Sequence, residues 1–184
     1  MEDTGALEAQ IRLGNFDFVL ASCHIVEGVD PYYPEYFEGI TAQEGFRKYL
    51  ETINRYVRVI DENCFSAIGH IDYPTKGCPY PDLRLHYSYC PDEIDELFRY
   101  LIPRGKCIEI NSSAYRKLGE LPIPGEDWLR RYAELGGEYV TFGSDAHYTH
   151  HVGLRFDEAA EMARRAGIKY YATFDRMKPI LHKL

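Results

Sequence analysis

The sequence predicts an α/β fold with about five parallel strands and flanking helices. Three observations lead there. Short apolar runs of strand length alternate with amphipathic runs of ten or more residues, the pattern of βαβ units around a parallel sheet. Polar residues of one chemical kind recur where the apolar runs stop. The chain has 184 residues, 45% hydrophobic and 27% charged, which suffices to bury one core of ordinary size.

The elements follow in order along the chain. Residues 6–13 have helical periodicity and stop at Gly14-Asn15, a pair suited to a left-handed cap. Residues 16–23 are an apolar run of strand length ending at His24. A loop rich in Pro, Gly and Tyr covers 28–40, and residues 44–60 are a long amphipathic helix. A second apolar run, 64–71, is broken by Gly69 and closes on His70-Ile71-Asp72. Four prolines and one glycine make 73–91 a long loop, and loops of that size usually carry function. Pro91 and Asp92 start a helix over 92–101. A third strand, 106–110, ends at Asn111-Ser112-Ser113. Helix 126–135 stops at Gly136-Gly137, and a fourth strand, 138–142, runs into Gly143-Ser144-Asp145-Ala146-His147. Helix 156–166 stops at Gly167, and a fifth strand, 168–173, precedes a short tail expected to be helical. No repeat, low-complexity segment or composition break marks a second domain, so a single domain over 1–184 is expected. Five strands with covering helices suit an open three-layer sheet or part of a barrel, a complete barrel needing roughly 200–250 residues or more.

Charge and cysteine usage narrow the function classes. Lys plus Arg is 21 against 29 for Asp plus Glu, a formal net charge of −8, which argues against a nucleic-acid partner. No apolar run approaches the ~18 residues of a membrane span. The start, Met1-Glu2-Asp3-Thr4, lacks the pattern of a secretion signal. The five cysteines (23, 64, 78, 90 and 107) are odd in number and contain no C-x-x-C pair, so they read as reduced thiols in a cytoplasmic protein.

The candidate chemistry collects at strand ends, which carry His24, His70, Asn111 and the pair Asp145/His147. Parallel α/β folds place their sites at the carboxyl ends of strands, where the loops converge. Imidazole and carboxylate suit zinc, manganese or iron. Asp72 has two readings, orienting His70 or capping the next loop. Arg116 offers a fork for an anionic substrate, or a surface pair with Glu120. His86, His150, His151 and His182 read as structural or solvent-facing. Cys23, Cys64 and Cys107 read as small core residues. Tyr32, Tyr33, Tyr36, Tyr80, Tyr87 and Tyr89 either line a pocket or cover the edges of the core.

These segments, in this order, resemble the PHP (polymerase and histidinol phosphatase) superfamily, most closely its histidinol-phosphatase branch. The resemblance runs from about residue 15 to 167. Its carriers are residues 16–24, Tyr36-Phe37-Glu38-Gly39 with Tyr49-Leu50-Glu51-Thr52, Ala67-Ile68-Gly69-His70-Ile71-Asp72, residues 105–113, and Gly143-Ser144-Asp145-Ala146-His147. It implies a distorted (β/α)7 barrel with two or three divalent metals that hydrolyses a phosphomonoester. Carried over by motif, His24 and His70 are expected on one metal, Asp145 on a second and His147 on a third. Arg116 matches the substrate-phosphate arginine.

The chain departs from that pattern at its start. The family's first strand bears His-x-His, followed by further histidines and a bridging glutamate, all upstream of the segment matching His24. No histidine precedes His24 here, and Glu2 and Glu8 do not match the bridging position. The expectation is therefore the C-terminal portion of the barrel, with fewer metals than the family holds and little phosphatase activity from this chain alone. The strand ending at His24 is expected to have an unpaired edge and an uncovered apolar flank. That flank implies self-association or docking of an N-terminal half. A related phosphoesterase on another small ester and a non-catalytic assembly module remain open.

Overall fold

Helix signals in the sequence map closely onto the computed structural model, which describes residues 4–80, 84–116 and 122–184. Helix α1 spans Gly5–Gly14 and closes on Asn15 in the left-handed conformation (φ 50°). Helix α2, Ala42–Val59, starts two residues before its apolar periodicity suggests, because Thr41 and Glu44 form a capping box. The Thr41 hydroxyl accepts from the Glu44 amide at 3.2 Å, and the Thr41 amide donates to the Glu44 carboxylate at 2.7 Å. Helices α3 (Pro91–Leu101), α4 (Glu126–Glu134) and α5 (Phe156–Arg165) lie where their patterns place them.

The strands are β1 (Leu20–Ala21), β2 (Ala67–Ile68), β3 (Cys107–Asn111), β4 (Tyr139–Gly143), β5 (Tyr170–Asp175) and β6 (Lys178–Lys183). They form one sheet in sequence order, parallel from β1 to β5. The first two are far shorter than their apolar runs. The Val19 amide faces the Ser66 hydroxyl at 3.4 Å instead of a ladder carbonyl. On β2 the chain leaves the extended region at His70, whose φ is +26°. Strand β3 is buried along its whole length.

The tail is a strand, which corrects the expectation of a helix. Strand β6 pairs antiparallel with β5 from Tyr170↔Lys183 to Asp175↔Lys178. Arg176 and Met177 both have positive φ (47° and 66°), the geometry of a primed two-residue hairpin turn. Arg-Met lacks the Asn or Gly that normally announces such a turn, so the sequence carried no signal for it. The hairpin tip then reaches the chain ahead of β1. The Met177 amide donates to the Asp17 carbonyl at 2.9 Å, and the Arg176 amide to the Asp17 carboxylate at 3.1 Å. Phe18 packs on Phe174 with ring centroids 4.9 Å apart.

One apolar core joins α2, α3 and α4 to the sheet. Trp128, Phe98 and Tyr132 are fully buried against one another, and the Trp128 indole donates to the Leu85 carbonyl at 2.8 Å. Cys64, Cys78, Cys90 and Cys107 are buried free thiols and Cys23 is half-buried. The loop tyrosines mostly cover core edges: Tyr36 donates to the Gly45 carbonyl at 2.7 Å, and Tyr80 caps the Ile40 carbonyl. Beside β1, at the sheet edge among the described residues, lies an apolar groove of about 970 Å³. Leu7, Ile11 and Phe16 form one wall and Ile53 and Val57 of α2 another. Among the described residues no helix is long and apolar enough to cross a membrane.

Asp95 fastens α3 to α4. Its carboxylate accepts from Arg131 at 2.8 and 2.6 Å, from Arg99 at 2.8 Å and from the Tyr87 hydroxyl at 3.0 Å. The Arg131 hydrogen bonds hold this carboxyl below its ordinary pKa. A depressed carboxylate contributes stability that is present above its unfolded pKa and disappears as pH falls through the folded one. Asp95→Asn should therefore cost about 2 kcal/mol at neutral pH. In urea titrations across pH, that deficit should shrink as pH falls below the ordinary aspartate range.

Candidate functional site

Three parallel strands deliver the site from their carboxyl ends: His24 follows β1, His70 follows β2 and Asp145 follows β4. The two imidazoles meet, with Nε2 to Nε2 at 3.2 Å. Tyr73 packs against both rings, with centroids 5.0 Å from His24 and 4.8 Å from His70. His70 is 6% exposed. Burial, with the nearby Lys76 and His24 charges, lowers its pKa to about 4. It is therefore neutral at pH 7, with a lone pair to give. Its Nδ1 is buried without a partner.

Glu109 is the buried strut behind this pair. One carboxylate oxygen accepts the His70 amide at 2.7 Å and the Asn111 side-chain amide at 3.0 Å. Burial raises the Glu109 pKa against those two hydrogen bonds. The other oxygen lies 1.7 Å from where a β-carbon on residue 143 would sit, so β4 can pass only because residue 143 is glycine. Asn111 in turn accepts the Ser113 amide at 2.9 Å and fixes the turn after β3.

Asp145 sits at φ +46° in its turn. Burial pushes its carboxyl up, but the Lys76 ammonium at 2.9 Å outweighs that and holds it below the usual carboxylate range. His147 is exposed, with Nδ1 2.9 Å from the Asp145 carbonyl. Arg116 donates to the Ser144 carbonyl at 2.9 Å and the Asp145 carbonyl at 3.0 Å, so it braces this turn. Its alternative partner Glu120 lies outside the described residues. Asp72 is 2% exposed, and burial raises its pKa to about 7. One Asp72 oxygen and His70 Nδ1 are both without a hydrogen bond, so Asp72 does not orient His70 by that route.

The imidazole pair fits a divalent cation. Two nitrogens bound tetrahedrally to zinc at ~2.05 Å stand about 3.3 Å apart, close to the 3.2 Å observed. The pair and Asp145 do not close into three ligand atoms within 4.8 Å of one another; among the described residues Glu8, Asp61 and Cys64 do. That second set lies at the opposite ends of the strands and is neutralised by Arg12, 2.6 Å from Asp61. His86 contacts Tyr89 edge-on at 5.5 Å, His150 and His151 pack on each other at 4.2 Å, and His182 stacks on Tyr171 at 4.8 Å. Sequence reasoning missed Glu109, Lys76 and Tyr73. A lone carboxylate inside the apolar strand Cys-Ile-Glu-Ile-Asn was a usable signal for Glu109; Lys76 and Tyr73 sit in a loop with none.

Comparison with known proteins follows the same lines. A probable histidinol-phosphatase of Clostridium acetobutylicum is 34% identical over 158 residues, covering 84% of this chain and 59% of that protein. The histidinol-phosphatase of Lactococcus lactis is 29% identical over 167 residues, covering 89% of this chain and 60% of that protein. The chain is similar to histidinol-phosphatases. It spans about three fifths of the length of these curated relatives. The crystal structure of the Lactococcus lactis histidinol phosphate phosphatase, complexed with zinc, L-histidinol and phosphate, superposes with a TM-score of 0.81 at 27% identity. That match covers 96% of this chain and 66% of the other. No protein-family model matches the chain. The relationship therefore rests on these histidinol-phosphatases and on the α/β fold with its mostly parallel six-strand sheet.

Gly143→Ala should force Glu109 out of its slot and cost about 1–3 kcal/mol. A urea midpoint equal to that of the parent chain would show that the Glu109 strut is dispensable.

Proposed function

We propose that this chain carries part of the active site of a metal-dependent phosphomonoester hydrolase that converts histidinol phosphate to histidinol and phosphate. The fold underlying this reading is the C-terminal portion of a distorted (β/α)7 barrel. The observation that carries it is the His24/His70 imidazole pair, 3.2 Å apart at the strand ends, in a chain similar to a phosphatase solved with zinc, histidinol and phosphate. His24 and His70 would hold one divalent ion, Asp145 a second and His147 a third. Such ions, when bound, supply a hydroxide at neutral pH and stabilise the charge that builds on a phosphoryl group.

The chain's own residues do the rest. Glu109 fixes the His70 backbone, so the imidazole enters the cleft in one orientation. Tyr73 shields one side of both rings from water. Arg116 keeps Asp145 and His147 at the rim through the Ser144 and Asp145 carbonyls. Its remaining guanidinium donors give the phosphate a cationic neighbour. The reaction needs no side-chain nucleophile.

Four ligands shared among three ions are too few, since zinc sites normally take three or four protein ligands each. This chain alone is therefore an incomplete hydrolase. The groove beside β1 receives a further polypeptide segment, which adds a strand to the open edge and brings the missing ligands. The relatives' additional two fifths of length supports that occupant. A non-catalytic assembly role for the isolated chain is the second reading, and the same open edge favours it.

Metal analysis after equilibration with zinc should find about one ion per chain, and His70→Ala should abolish its retention. Turnover of histidinol phosphate by the purified 184-residue chain at ordinary enzymatic rates would overturn the incomplete-site reading. In sedimentation velocity the chain should show species heavier than its 21.3 kDa monomer at high concentration. A clean monomer there would refute the role given to the groove and the β1 edge.

A further inference from the structure

The Lys76 ammonium is buried where the candidate ligands gather. Its side chain is 6% exposed, and Nζ lies 2.9 Å from an Asp145 carboxylate oxygen. The same nitrogen stands 5.5 Å from the centre of the Tyr73 ring, the ring that packs on both His24 and His70. Glu109 and Asp72 complete the surroundings as buried carboxyl groups. A monovalent cation built into the chain thus occupies the carboxylate that a divalent cation would need.

We infer that Lys76 is the internal counter-cation of Asp145 and competes with the metal ion for it. This rests on Asp145 being a metal ligand. Without metal, the ammonium neutralises Asp145 and holds it in the cleft, away from the imidazole pair. Asp145 does not close with the two Nε2 atoms into one set of three ligand atoms within 4.8 Å. A divalent ion that captures Asp145 repels the ammonium at short range, so Lys76 has to leave its pocket. The ion pair therefore weakens metal binding by the strength of the contact that must be given up.

Two measurements on the 184-residue chain test this. In zinc titrations by calorimetry, Lys76→Met should take up an ion beyond the one held by the imidazole pair at least tenfold more tightly than the parent, and Lys76→Arg, which keeps the charge, should stay near the parent value. Circular dichroism checks folding, and Lys76→Gln replaces the Met variant if that one does not fold. Asp145→Asn separates the two layers of the argument. Zinc affinity unchanged in Asp145→Asn would remove Asp145 from the ligand set, and this inference with it. Weakened affinity in Asp145→Asn, with none gained in Lys76→Met, would overturn the competition alone. In the parent chain, acetylation of Lys76 followed by mass spectrometry should be slow without metal and at least several-fold faster with zinc. Equal rates would contradict displacement.

Discussion

The buried carboxylate of Glu109 is the constraint on which the site depends. It sits in the middle strand of the parallel set, is buried, and is stabilised by the His70 amide and the Asn111 side chain. A buried carboxylate with one lost partner is costly. The chain therefore cannot let the end of β2 wander from β3 without leaving that charge unsatisfied. The same group sets the requirement on β4, where only a residue without a β-carbon passes the second oxygen. One side chain in the core thus fixes the backbone positions from which His70 and Asp145 depart.

Around that strut, burial and one lysine set the charges of the cleft. Burial keeps His70 neutral and drives Asp72 and Glu109 toward their protonated forms, whereas Asp145 stays ionised because a lysine neutralises it. Groups with opposed protonation tendencies at one set of strand ends are what metal-assisted chemistry uses, and they have no evident part in packing the core. Arg116 also acts on the backbone of the rim. Its two terminal nitrogens are engaged by backbone carbonyls, so its first effect is on the shape of the Asp145 turn.

Much of this was legible in the sequence for a simple reason. Helix starts and stops are local, so the Gly14-Asn15 stop is legible within a few residues, whereas the apolar periodicity passes over the capping box at Thr41 and begins its helix two residues late. The gathering of His24, His70 and Asp145 at strand ends was legible because polar residues closing apolar runs point to one rim of a parallel sheet. Less legible were features made by distant pairs. Lys76 and Asp145 are 69 residues apart, and nothing local to either marks the other. The two-residue extents of β1 and β2 also escaped the apolar pattern, since burial persists where the ladder stops. The last strand was missed because a turn of Arg and Met has positive φ without the residues that favour it.

That last hairpin has a consequence for how the molecule comes into being. Its tip closes on Asp17 and Phe18, so Asp17 finds a partner 159 positions further along the chain. A ribosome releases the chain vectorially, and β1 has to wait until the β5–β6 hairpin has been made before this closure can form. Until then its apolar neighbourhood is open to whatever else the nascent chain meets.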